Sequence, residues 1–393
     1  MQPSAIALFL VAGLASLFMA WVIGAGSSGA TPFAPAVGAN AIPTMQAAFL
    51  VGLLGFAGAV TQGAAVSATV GDGLVGGVEV PAIGVIVVLL VGAGLMAIGI
   101  YTGYPIATAF TVTGSVVGVG LALGGTPAWA TYRQIGAVWL LTPVVGGGIA
   151  YGIASVLPRP DAPERYTIPV LTAVVGIVLA NVEFAFLGPN GTMGSFAGLV
   201  GRQLGAGGLA VTVGVSVTVA AMIAAVVHWD VARDQAGGLR RVLLVLGSLV
   251  GFSAGGSQVG LAVGPLLPLF DSVGALSPAI ILAGGGVGIL AGSWLGAPRM
   301  IKSLAQDYSA LGPRRSISAL VPAFLIAQTA VLLGVPVSFN EIIVSGIIGS
   351  GAAVGGGSAV DPRKLLVTVG AWVGSLAVSF VLGYGVVAGI QLL

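Results

Sequence analysis

The sequence predicts an all-α polytopic membrane protein of about 10–12 transmembrane helices in two inverted repeats with broken or re-entrant segments. Composition is the first observation behind this. Of 393 residues, 57% are hydrophobic and only 6% charged, and the mean hydropathy is +1.11; soluble domains carry roughly a quarter charged residues. The second is charge-free length: no Asp, Glu, Lys or Arg precedes Asp72, and none lies between Glu79 and Arg133. The third is a pair of Gly/Pro motifs that recur in the same order.

Apolar runs predict spans over 4–23, 45–63, 81–101, 105–125, 135–156, 168–188, 207–227, 239–259, 275–296, 316–334, 336–355 and 366–391. The first lacks the basic flank of a signal peptide and reads as a retained span. The glycine-rich pieces 24–42 and 260–270, with parts of 64–78, read as re-entrant or half-helical. Unwound backbone inside hydrocarbon is tolerated only where protein or a wet cavity surrounds it. The polar connections 158–166 and 228–241 are too short for a soluble domain. The expected organisation is an N-terminal half (1–166), connecting helices and a loop (167–238), and a C-terminal half (239–393).

Eleven of the thirteen basic residues fall in the connections after spans five, seven, nine and eleven, leaving Arg133 and Arg202 opposite. By the positive-inside rule those connections are cytoplasmic and both termini are outside. Trp129, Tyr132 and Trp229 sit near span ends as interfacial aromatics. The basic pI comes from loop arginines and does not point to nucleic acid. With no cysteine, thiolate metal sites and disulfides are excluded. His228 is the only histidine, so a histidine-based metal site is not expected either. Glycine runs lack a following GKS/T, which argues against a nucleotide-driven pump. An intramembrane enzyme would need a nucleophile with its base, or a metal cluster, and the predicted spans hold no His and two acids.

Ala25–Pro35 (AGSSGATPFAP) aligns without gaps on Gly255–Pro265 (GGSQVGLAVGP) at an offset of 230. Gly103–Gly120 aligns on Gly334–Gly351 at an offset of 231, pairing Pro105 with Pro336 and Gly118 with Gly349. In the predicted topology both pairs run in opposite directions. Inverted repeats with interrupted helices at matching positions are the sequence mark of a secondary transporter with its site at the repeat interface. Ser27, Ser28, Thr31, Ser257 and Gln258 offer hydroxyl and amide donors at the breaks. Ser338 and Asn340 fall near a helix N-terminus set by Pro336. Free backbone N–H groups at half-helix starts complete an anion site that needs no arginine. Two acids remain inside predicted spans, Glu183 and Glu341. An intramembrane carboxylate costs roughly 2.5–3.5 kcal/mol at helix centre, which makes each a candidate for coupling.

At these motifs the chain resembles the inorganic phosphate transporter family, which also includes sulfate permeases and whose hallmark is a repeated GANDVANA…GP segment. Ser27 to Gly38 is similar to the first copy and Phe252 to Leu266 to the second; GYPIATAF and GVPVSFNE resemble the family's G-x-P-V-S-T-T-H elements. The resemblance implies an inverted-repeat carrier for a tetrahedral oxyanion, with both hallmark copies lining one site. This chain departs where the family has Asn-Asp and a later Asn: it has Ser27, Ser28 and Thr31 in one copy and Ser257, Gln258 and Leu261 in the other. Without the hallmark acids, a sodium site built on them cannot form. The expectation is therefore secondary active phosphate transport across the cell membrane with no cofactor beyond a coupling cation, a proton carried through Glu341 being favoured and sodium the alternative. Sulfate is the alternative substrate, and a scaffold or channel the alternative class. The bilayer is the expected environment, and a homo-oligomer is compatible with such a chain.

Overall fold

The computed structural model describes residues 3–189, 192–205, 208–271, 276–306, 308–355 and 361–392. The first half runs through α1 (Pro3–Ile23), a π-turn (Gly24–Ser28), α2 (Ala34–Gly38), α3 (Thr44–Gln62), α4 (Ala64–Asp72), α5 (Ala82–Thr102), α6 (Thr108–Ala122) and α7 (Trp129–Val156). After α8 (Glu164–Asn181), α9 (Phe196–Gln203) and α10 (Leu209–Arg233) the order repeats. It continues as α11 (Gln235–Val263), a 3-10 turn (Gly264–Leu266), α12 (Leu267–Asp271), α13 (Pro278–Leu295), α14 (Ala297–Gln306), α15 (Pro313–Leu332), α16 (Phe339–Gly355) and α17 (Pro362–Gln391).

Every predicted span meets a helix, although the positions 207 and 275, where two were expected to begin, lie outside the described residues. Among the described residues nine helices are long and apolar enough to cross a membrane. The apolar helices α6 and α16 have 15 and 17 residues, which at 1.5 Å per residue falls short of a ~30 Å hydrocarbon core. Both are preceded by the same stop signal. Gly103 and Gly334 take positive φ (80° and 63°), a conformation that costs glycine nothing. Pro105 and Pro336 then hold the chain extended before the short helix begins.

Three sequence expectations are corrected. The span expected at 168–188 ends at Asn181, because Val182 turns extended and Glu183–Phe184 pairs antiparallel with Gly194–Ser195. Glu183 therefore stands outside a helix. The polar stretch 228–241 is not a loop: α10 runs to Arg233 and α11 starts at Gln235. Asp234 alone turns the chain and caps α11 by accepting from the Gly237 N–H at 3.0 Å. The second glycine-rich piece stays helical to Val263 and breaks only at Gly264–Pro265, where proline has no N–H to give. Ser257 and Gln258 thus lie on unbroken helix and bring side chains, not free backbone, to their surroundings.

Packing exchanges elements between the halves. The short helix α6 lies along α17, and α16 along α7. Helices α1 and α13 cross so closely that a Cβ on Gly292 would stand 1.9 Å from the Trp21 carbonyl oxygen. A Cβ on Gly58 would stand 1.9 Å from the Phe252 carbonyl at the matching crossing of α3 and α11. Arg240 donates to the Ala41 carbonyl at 2.8 Å, and Arg299 and Lys364 sit over the Tyr101 and Tyr104 rings. Arg240, Arg299 and Lys364 therefore share one face, the cytoplasmic one by the positive-inside rule.

Gly292→Ala is expected to lower the unfolding midpoint in detergent by several degrees, since overpacking a core costs about 1–3 kcal/mol. Gly94→Ala, with nothing within 4 Å of the added carbon, is the control and should hold or raise it. Equal midpoints for the two variants would show that the crossing is not tightly packed.

Candidate substrate site

Extended backbone before α6 and α16 has carbonyls that no helix can satisfy, and inside a membrane each must find a donor. Side chains from elsewhere in the chain supply them. Trp372 Nε1 on α17 donates to the Pro105 carbonyl at 2.7 Å, and Trp139 Nε1 on α7 donates to Pro336 at 2.9 Å. One residue further along each segment, Asn340 Nδ2 donates to Ile106 at 2.7 Å and Gln258 Nε2 to Val337 at 2.6 Å.

The same amides reach the break after α1. Ser27 Oγ donates to Gln258 Oε1 at 3.0 Å, and Asn340 Nδ2 also donates to the Gly26 carbonyl at 3.1 Å. The π-turn, the middle of α11 and the segments leading into α6 and α16 are thereby tied into one buried centre. Ser27, Ser28, Thr31, Ser257, Gln258, Ser338, Asn340 and Glu341 are all at most 2% exposed. No Lys or Arg lies in 23–38, 103–122, 253–271 or 334–355. What positive character the centre has comes from the N-termini of α6 and α16.

Hydrogen bonding sorts these residues. Thr31 Oγ1 is spent on the Ser27 carbonyl at 3.1 Å, and Ser28 Oγ points back to the Ile23 carbonyl at 3.5 Å. Both hydroxyls serve the broken backbone. Ser338 Oγ caps α16 by accepting from the Glu341 N–H at 3.4 Å. Ser257 Oγ, Thr108 Oγ1, Asn340 Oδ1 and Glu341 Oε2 are buried without a protein partner; among the described residues Thr113 Oγ1 and Ser309 Oγ share that condition. Leaving a buried polar atom unpaired costs about 1–3 kcal/mol, so alanine or a hydrophobe would pack these positions better. Both Asn340 amide hydrogens are committed to carbonyls, so the oxygen left over is an acceptor.

Thr108 was not singled out in the sequence. Its only signal there is its place shortly past the Pro105 segment, at the start of α6. A polar relay was also missed: Gln328 Nε2 donates to Ser253 Oγ at 2.7 Å and to Gln62 Oε1 at 3.3 Å, and Gln62 Nε2 donates to the Glu183 carbonyl at 2.8 Å. Ser257 follows Ser253 by one turn of α11, on the same helix face. Glu183 is not brought to the centre; it lines a cavity of about 280 Å³ with Asn181, Gln62 and Gln328.

Interrupted helices meeting at a buried, arginine-free polar centre define a membrane carrier. The chain belongs to the phosphate transporter family, whose model matches residues 23–383. A protein of Pyrococcus abyssi named "Putative phosphate permease" is 28% identical over 88% of this chain and 89% of its own. The Arabidopsis thaliana protein named inorganic phosphate transporter 2-1, chloroplastic, is 26% identical over 87% of this chain and 65% of its own. A solved structure named "The sodium-dependent phosphate transporter" superposes with a TM-score of 0.82 at 24% identity, over 98% of this chain and all of that one. The fold is thus that of a known carrier.

Gln258→Leu leaves the Val337 carbonyl and the Ser27 hydroxyl buried without their partner. The expected loss is about 2–6 kcal/mol at 1–3 per orphaned group, read as a lower unfolding midpoint in detergent. An unchanged midpoint would mean that the amide does not tie the centre together.

Proposed function

We propose that the protein is a secondary carrier that moves inorganic phosphate across the cell membrane, with its site where α6 and α16 begin. The observation that carries this is the set of unpaired buried atoms at the starts of α6 and α16 and on α11. Ser257 and Thr108 hydroxyls can donate to phosphate oxygens, aided by the helix N-termini. Asn340 Oδ1 and Glu341 Oε2 are acceptors and suit the hydroxyl that phosphate keeps at neutral pH. Sulfate has no proton to offer them, which favours phosphate. Family membership supports the same substrate.

In this reading the two halves are inverted repeats, in line with their recurring element order and exchanged packing, and alternating access moves one against the other around the centre. Glu341 carries the coupling proton, taken up on one side and released on the other. Sodium is the second reading, supported by the sodium dependence in the structural neighbour's name; neutral oxygens at the centre would then hold the ion with the anion's charge.

Ser257→Ala with Thr108→Val should raise the KM for phosphate uptake into proteoliposomes at least tenfold, at about 1.5–3 kcal/mol per hydrogen bond to a charged group. The unfolding midpoint should hold or rise, since unpaired groups are removed. A lower midpoint with unchanged KM would assign both residues to packing.

Imposed proton and sodium gradients separate the coupling ions. Uptake that follows a proton gradient in sodium-free medium and is lost in Glu341→Gln supports the first reading. Uptake that follows sodium at constant pH, with Glu341→Gln active, establishes the second.

A further inference from the structure

We propose that the cleft between α7 and α8 at the cytoplasmic face is a binding site for one anionic phospholipid. The last turn of α7 and the first two turns of α8 enclose an apolar groove of about 360 Å³, lined by Ile153, Leu157, Tyr166, Val170 and Leu171 among others. It opens on the outer surface, where Tyr166 and Val170 are more than half exposed. It lies just below the connection between α7, a membrane-spanning helix, and α8, at the depth of acyl chains.

Adjoining it at Leu157, which lines both, is a cavity of about 610 Å³ whose charged lining is Arg159, Arg165, Arg233, Arg314 and Glu164. Glu164 is engaged by Arg314 and by the Gln235 amide. Among the described residues Arg159, Arg165 and Arg233 have no carboxylate within ion-pair distance. They are held instead by neutral contacts. The Arg165 guanidinium lies 4.9 Å over the Tyr166 ring and that of Arg233 3.8 Å over Trp229, while Arg159 Nε donates to the Ser155 carbonyl at 3.1 Å. Three guanidiniums without a carboxylate, above an apolar groove, match a phosphodiester headgroup above its own chains. Neutral lipid would fill the groove and leave the charge unmatched, and a soluble anion would use only the upper cavity.

The test uses the full-length protein in detergent with phosphatidylglycerol carrying a photoactivatable acyl chain. The label is expected on peptides within 152–171, displaced by unlabelled phosphatidylglycerol and not by phosphatidylcholine. Lipid retained in native mass spectra should fall on the order of tenfold in Arg159→Gln/Arg165→Gln/Arg233→Gln, and stay unchanged in Arg133→Gln on the opposite face. Label spread evenly over the apolar surface, or equal displacement by phosphatidylcholine, would overturn the proposal from the wild-type protein alone. So would displacement by millimolar inorganic phosphate, which would mark a soluble-anion site.

Discussion

Carbonyls that leave the helical ladder inside a membrane must be met by protein, and here four of them govern the architecture. Pro105, Ile106, Pro336 and Val337 precede the short helices, and each takes a hydrogen bond from a side chain on another element. Water cannot substitute in hydrocarbon, where an unsatisfied backbone group costs several kcal/mol. The requirement fixes Trp139 and Trp372 on the two long helices and Gln258 and Asn340 on helices crossing the centre. It also explains how two helices shorter than the bilayer can start in buried protein.

The polar centre contains two kinds of group, separated by what each bonds. Thr31 and Ser338 complete the backbone around them, and Gln258 and Asn340 lock elements together. Ser257, Thr108 and Glu341 leave atoms without partners, which lowers stability unless a ligand uses them. A centre so built is firm at its edges and polar within.

Much of this was legible in the sequence because glycine and proline act locally. The stops at Gly103 and Gly334 and the break after Ile23 could be read from chain chemistry alone, as could the twofold recurrence of elements. Less visible was what depends on a partner distant in sequence. Thr108 looks like any helix-start threonine until its neighbours leave its hydroxyl unpaired. The Gln62–Gln328–Ser253 relay joins three helices that no local pattern connects. Glu183 was placed in a span because Val182 and Phe184 to Leu187 on either side of it are apolar, whereas the strand pairing with Gly194–Ser195 ends the helix before it. The loop expected at 228–241 failed for the opposite reason: charged residues at an interface can remain helical, and one aspartate suffices to turn the chain.

The exchange of α6 with α17 and of α16 with α7 bears on how the chain is made. Helix α6 is synthesised some 240 residues before α17, the helix it lies along. Until then its glycine face, where Gly114 and Gly118 approach the Leu376 and Phe380 carbonyls, has no counterpart, and the Pro105 carbonyl awaits Trp372. The first half therefore cannot mature as a finished unit while the ribosome is still working on the second. Insertion can proceed helix by helix, but this part of the assembly waits until α17 has been made and closes over α6.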